Sequence, residues 1–334
     1  MEPKKVEDEA FVTLATDDSY SLGALVLGHS LRKVQTSRSL VILVTVGVSA
    51  DMRSLLSSVY DLVEEVGEID SKDEVNLTVL TRPELGVTFT KLHCWRLSQF
   101  KKCVFLDADT LVLQNCDELF NREELSAVPD VGWPDCFNSG VFVFRPSDET
   151  YKALVQFAED KGSFDGGDQG LLNLFFQDWA TKDISQHLSF LYNMNSNASY
   201  TYLPAFQQFG KDVKIVHFLG ELKPWKYIVS EGKLMKPSES QHSEDHLQYW
   251  WDLYMSHVEP HLQFYQDAPY HELAKVRLES PEPVETSVSQ DQPVAPGFIS
   301  RQEAWEKGEI DYLGVDSFEN IRRKLDSKIN GTTE

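Results

Sequence analysis

The chain has 334 residues, 41% of them hydrophobic and 25% charged, enough for one large or two ordinary domains with a sizeable core. Its 53 acidic against 31 basic side chains give a formal charge of −22, which argues against nucleic acid or an anionic membrane as a partner. No apolar run is long enough to span a bilayer.

The opening MEPKKVEDEAF has no apolar signal-peptide core, so a cytoplasmic protein is expected and residues 1–9 read as a flexible N-terminus. The sequons at Asn76, Asn197 and Asn330 are then chance matches. Cys94, Cys103, Cys116 and Cys136 have no CxxC spacing and read as reduced, mostly core thiols. AFVTLAT (10–16) and SLVILVT (39–45) predict strands, with a helix over SYSLGALVLGHSLRKV (19–34) between them. That βαβ opening predicts a doubly wound, mostly parallel α/β sheet. VTFTKLHCWRLSQF (87–100) predicts a helix running into the strand that ends at Asp107. VFVFRP (141–146) predicts a strand, SDETYKALVQFAEDKG (147–162) a helix, LLNLFFQDW (171–179) a buried helix and KIVHF (214–218) a late strand. There is no GxGxxG and no GxxxxGK[ST], so dinucleotide and P-loop readings lose their main support. From Glu279 to Pro296 the chain has no aromatic and no basic residue and is rich in Pro, Ser and acid, which predicts a disordered linker. Beyond it aromatic and apolar residues return, and Phe318, Ile321, Leu325 and Ile329 fall on one helical face.

The chemistry concentrates in KCVFLDADTLVL (102–113). Val104, Phe105 and Leu106 have no polar face, as in a buried parallel strand, yet the run stops on Asp107 and Asp109. On extended chain the two carboxylates point to one side, and burying both is costly unless a cation lies between them. In an open α/β sheet, ligands sit at the carboxyl ends of the strands, where this pair is. Carboxylate oxygens suit Mg²⁺ or Mn²⁺, and an imidazole from His217 would tip the set toward Mn²⁺. Gly220 and Lys223 follow closely enough to reach a phosphate on the same metal.

Each element also has a plain structural explanation. An isolated DxD is commonly a surface or capping pair, a lone His217 a structural histidine, and Lys223 before Pro224 a solvated turn residue. His242 and His246, and His257 and His261, have i, i+4 zinc spacing but no obvious third ligand. A haloacid dehalogenase-like phosphatase would carry DxDx[TV] on its first strand; here Thr110 comes one residue early, a third of the way along the chain.

Seven segments in order, FVTLATDDSY, RPELGVTFTKLHCW, FLDADTLVL, WPDCFNSGVFVF, GSFDGGDQGLLN, SYTYLPAF and VHFLGELKPW, resemble the glycogenin family, self-glucosylating members of retaining glycosyltransferase family 8. The resemblance covers about residues 10–228 and returns at WEKGEIDYLGVDSFENIRRKL in the tail. It implies a GT-A fold, Mn²⁺, UDP-glucose as donor, and a homodimer that primes glycogen. By the same resemblance residues 10–270 are the catalytic domain, 271–297 the linker, and 298–334 an element that binds glycogen synthase.

Carried over residue by residue, Asp107, Asp109 and His217 match the metal ligands, and Ala108 lies between the aspartates among the donor contacts. Leu14, Thr16, Asp17 and Tyr20 match the first nucleotide loop, with Asp17 where relatives often carry Asn. Arg82, Lys91, Gly220 and Lys223 match nucleotide and phosphate contacts, and Asn138, Ser139, Asp165, Asp168 and Gln169 the sugar-facing group. Asp168 follows Gly166-Gly167 at a helix start, where by itself it reads as an N-cap; in the family pattern it faces the anomeric carbon. Tyr200 matches the acceptor tyrosine, although Tyr200 and Tyr202 alternate as packed strand residues would. A phenol is a poor nucleophile unless its proton leaves as the bond forms. The competing reading from another class is a non-catalytic scaffold of the same fold that recruits glycogen synthase.

Overall fold

The computed structural model describes residues 6–73, 76–78, 83–181, 183–196, 203–230, 233–235 and 242–262. Arg82, Tyr200, Tyr202 and everything beyond residue 262, including the expected linker and tail helix, lie outside the described residues.

The central sheet has six strands. Four are parallel: β1 (Val6–Ala15), β2 (Arg38–Val44), β3 (Leu62–Glu65) and β4 (Lys102–Leu106). β6 (Ser126–Pro129) and β7 (Phe137–Phe144) complete the order β3-β2-β1-β4-β7-β6 and pair antiparallel. Side-chain alternation accounts for the layers. Phe11, Ile42, Val104 and Val143 enter the apolar cluster on one face, while Val12, Val41, Phe105 and Phe142 enter the cluster on the other. Both faces are therefore covered, and the central strands carry apolar runs such as Leu40–Val44 and Cys103–Leu106.

The helix Asp18–Lys33 is capped by Asp17, whose Oδ1 accepts from Tyr20 N at 2.8 Å. It packs on the first face so closely that a Cβ on Gly23 would lie 2.4 Å from the Trp225 ring and 2.6 Å from Ala108 O. On the same face lies the helix Glu244–Leu253, extended by a π turn at Tyr254–Val258, with Leu247, Trp250 and Tyr254 buried. Residues 244–262 thus belong to the core. No helix among the described residues is long and apolar enough to cross a membrane.

Three local expectations are corrected. Residues Pro83–Arg96 form consecutive 3₁₀ turns rather than an α-helix. Every residue from Phe89 to Trp95 is buried, so no solvent face exists to give a helical period. The Thr88 and Thr90 hydroxyls are meanwhile committed to the backbone N–H groups of Asp168 and Ile69. β7 starts at Phe137, earlier than the apolar run suggests. Gly167, not Asp168, is the N-cap residue of the helix Asp168–Phe175.

Candidate functional site

β4 ends at Leu106, and the chain then turns back: Thr110 N and Oγ1 both donate to Asp107 O, at 2.9 and 2.7 Å. Asp107 and Asp109 therefore share a side because of a tight turn, not because the strand continues. The next strand, β5 (Thr110–Val112), belongs to a small second sheet with β8 (Met194–Asn195) and β9 (Ile215–His217). Antiparallel pairing sets Thr110 opposite His217, and Phe218 N donates to Asp109 O at 2.9 Å. That register carries His217 across more than a hundred residues of sequence to the aspartate pair.

One ligand atom from each of Asp107, Asp109 and His217 lies within 4.8 Å of the others. His217 Nε2 is 3.0 Å from Asp109 Oδ1 and 4.0 Å from Asp107 Oδ2. Lys223 Nζ pairs with Asp109 Oδ2 and donates to Phe218 O at 3.0 Å. Lys91 Nζ bridges Asp107 Oδ1 at 2.9 Å and Asp168 Oδ2 at 2.6 Å, with Ser139 O at 3.2 Å. Three carboxylates thus face two ammonium groups, all buried except Asp107, which stays partly open to water. Two carboxylate oxygens and an imidazole nitrogen form a donor set that fits Mn²⁺ or a similar divalent ion.

The charges tune one another. Burial pushes the Asp107 carboxyl above its usual range, and Asp109 and Asp168 add to this against the pull of Lys91. Burial opposes ionisation of Asp109 too, yet Lys223 and His217 outweigh it and hold that carboxyl well below the usual range. Burial would also strip Lys91 of its proton, but Asp107 and Asp168 hold it above the usual lysine range. Asp165 is raised by burial.

These groups line a cleft of about 380 Å³. Of the residues singled out from sequence, Leu14, Thr16, Tyr20, Lys91, Asp107, Ala108, Asp109, Asn138, Ser139, Asp165, Asp168, Gln169, His217, Gly220 and Lys223 all line it. Asp17 does not, since its carboxylate is spent on the helix cap. The Asp168 side chain does not cap its helix; it pairs with Lys91. Cys94, Cys103 and Cys116 are buried free thiols.

Two polar groups escaped the sequence reading. Asp130 lines the cleft, and its Oδ2 accepts from Gln169 Nε2 at 2.6 Å and Asn138 Nδ2 at 3.3 Å. Asn193 supplies Oδ1 to His217 Nδ1 at 2.9 Å. Neither belongs to a local motif.

Comparison with known proteins gives the class first. The description "Glycosyl transferase family 8" matches residues 11–229, which makes the chain a glycosyltransferase and removes the phosphatase reading. The fold is similar to that of the galactosyltransferase LgtC solved with donor and acceptor sugar analogues (TM-score 0.51, 16% identity, 75% of this chain and 96% of that one). Glycogenin-1 of Mus musculus is 51% identical over 335 residues, spanning 96% of this chain and 98% of its own. Glycogenin-1 of Homo sapiens is 49% identical over 345 residues, with 96% and 99% covered. The chain belongs to the glycogenins, within glycosyl transferase family 8.

Proposed function

We propose that this protein is a Mn²⁺-dependent retaining glucosyltransferase of the cytoplasm. It takes glucose from UDP-glucose, attaches it to its own Tyr200, and extends it as a short α-1,4-glucan that primes glycogen. The observation that carries the reading is the Asp107–Asp109–His217 cluster sharing one cleft with Asp168, Lys91 and Lys223. A scaffold would have no need of that charge arrangement.

Asp107, Asp109 and His217 would hold the ion, which neutralises diphosphate charge when bound. Lys223 lines the same cleft and meets the negative charge that grows on the departing UDP. Leu14, Thr16, Tyr20 and Gly220 serve the nucleotide end, with Arg82 assigned there from sequence. Asp17 supports that loop by capping the first helix. Ala108, between the aspartates, touches the donor, while Asn138, Ser139, Asp165 and Gln169 orient the transferred sugar. Asp168 faces the anomeric carbon. Paired with Lys91 at 2.6 Å, it is a poorer nucleophile than a free carboxylate, which favours electrostatic support of positive charge on the sugar. The Tyr200 oxygen would bond to the anomeric carbon as the carbon–oxygen bond to UDP breaks, with its phenolic proton passing to the departing diphosphate.

A homodimer would let one subunit present Tyr200 to its own cleft or its partner's. Residues 271–297 would tether residues 298–334 as a ligand for glycogen synthase. Peptide mapping after incubation with UDP-glucose and Mn²⁺ tests the acceptor: hexose is expected on Tyr200, and hexose elsewhere with Tyr200 bare refutes it.

A further inference from the structure

Hydrogen bonds in the cleft wall fix a proton on one nitrogen of His217. Gly140 N can only donate, and it lies 2.9 Å from Asn138 Oδ1. That atom is therefore an acceptor, and the Asn193 atom 2.8 Å away is its amide nitrogen. Asn138 Nδ2 correspondingly faces the Asp130 carboxylate. The other end of the Asn193 amide is then its carbonyl oxygen, 2.9 Å from His217 Nδ1. A carbonyl oxygen only accepts, so Nδ1 bears a hydrogen; Nε2 faces the Asp109 carboxylate, another acceptor, at 3.0 Å, and is the nitrogen whose lone pair a divalent ion would take up. Nε2 is the atom that points at Asp109 and Asp107.

Packing clamps the ring as well. A Cβ on Gly140 would lie 2.3 Å from His217 Cε1 and 2.6 Å from Nδ1, so only bare backbone fits beneath the imidazole. Asn193 is 7% exposed and lies just before β8, whose Asn195 sits opposite His217 in the parallel register.

We propose that Asn193 is a positioning residue: it fixes the ring plane and tautomer of His217 so that Nε2 is the third donor to the divalent ion, and it ties that donor through Asn138 to the sugar end of the cleft. The inference rests on the metal reading of the site above. An imidazole in the other tautomer would aim an N–H at the ion and supply no lone pair. Losing such an orienting partner typically weakens metal binding by about 10–100-fold.

The test uses full-length protein and Mn²⁺ alone, with free Mn²⁺ followed by electron paramagnetic resonance. Asn193→Leu is expected to lose at least about 10-fold in affinity. Asn193→Asp, which still accepts from Nδ1–H but sets its second carboxylate oxygen against Asn138 Oδ1, should lose less than Asn193→Leu. Gly140→Ala, which crowds the ring at Cε1 and Nδ1, should lose as Asn193→Leu does. Equal affinity in Asn193→Leu and wild type overturns the proposal. So does an equal loss in Asn193→Asp with the Nδ1 hydrogen still in place, which would assign the effect to packing. In protein saturated with Mg²⁺ as a diamagnetic stand-in, ¹⁵N-histidine spectra should show the hydrogen of His217 on Nδ1. A hydrogen on Nε2 overturns the tautomer whatever the metal result. Should wild type bind no divalent ion, the metal reading falls and this proposal with it, an outcome distinct from a wild type that binds and an Asn193→Leu that binds equally.

Discussion

Replacing Lys91 with Met separates the charge in this site from its packing. The side chain is 4% exposed, and its ammonium is the shared partner of Asp107 at 2.9 Å and Asp168 at 2.6 Å. Methionine keeps an unbranched stem of similar length, so the cavity term is small and the loss is mainly electrostatic. Removing one partner of a buried ion pair costs about 3–5 kcal/mol. Asp107 keeps 29% of its side-chain surface open to water, which places the expected cost toward about 3 kcal/mol. At roughly 2–4 °C per kcal/mol for a domain of this size, the melting point of chelator-treated protein should fall by about 6–12 °C. Saturating Mn²⁺ should restore more of that loss in the variant than it adds to wild type, because the ion supplies a cation beside the same carboxylates. Thermal unfolding with and without metal is the assay. A variant that melts within about 2 °C of wild type without metal would refute the electrostatic account.

Asp109→Asn should abolish glucosylation and weaken Mn²⁺ binding, because it removes one charge from a hard-ligand site and leaves Lys223 beside a neutral amide; Mn²⁺ titration beside a glucosylation assay checks it. Tyr200→Phe should lose the first self-attached glucose yet still glucosylate an added maltoside, read by mass spectrometry of both protein and maltoside. His29 should make the fold acid-sensitive: burial, helped by His257 and His261, pulls its pKa down to about 4. The unfolded ring takes its proton near pH 6.5, so stability should fall as pH drops from about 6.5 to about 4. His29→Phe, which preserves the stack on His257, should flatten that part of a urea midpoint profile. Deleting residues 298–334 should leave self-glucosylation nearly intact but abolish capture of glycogen synthase in a pulldown.

β1, β2 and β4 were legible because both faces of the sheet are covered there, which makes runs such as Leu40–Val44 apolar throughout, whereas β3, a four-residue edge strand that is only half-buried, was not. The start of β7 was not, because Asn138, Ser139 and Gly140 read as turn formers; pairing with β6 holds the start of β7 extended, where it walls the cleft. The turn at Asp107–Thr110 is invisible to a pattern that sees only i, i+2 spacing. Asp168 looked like a cap because no local rule reveals Lys91, which reaches it from 77 residues earlier in the chain. Asn193 and Asp130 act through contacts with residues distant in sequence, His217 and Gln169, and carry no motif of their own. What family resemblance added was the grouping of such dispersed residues into one site, which composition and periodicity alone do not provide.

The central claim is that the protein transfers glucose to itself with a metal held by Asp107, Asp109 and His217. The most direct measurement is a time course of intact mass for pure full-length protein with UDP-glucose, with Mn²⁺ and with chelator. The account predicts a ladder of hexose additions that requires the metal. An unchanged mass in the presence of Mn²⁺, from protein shown to be folded and free of prior glucan, would contradict it.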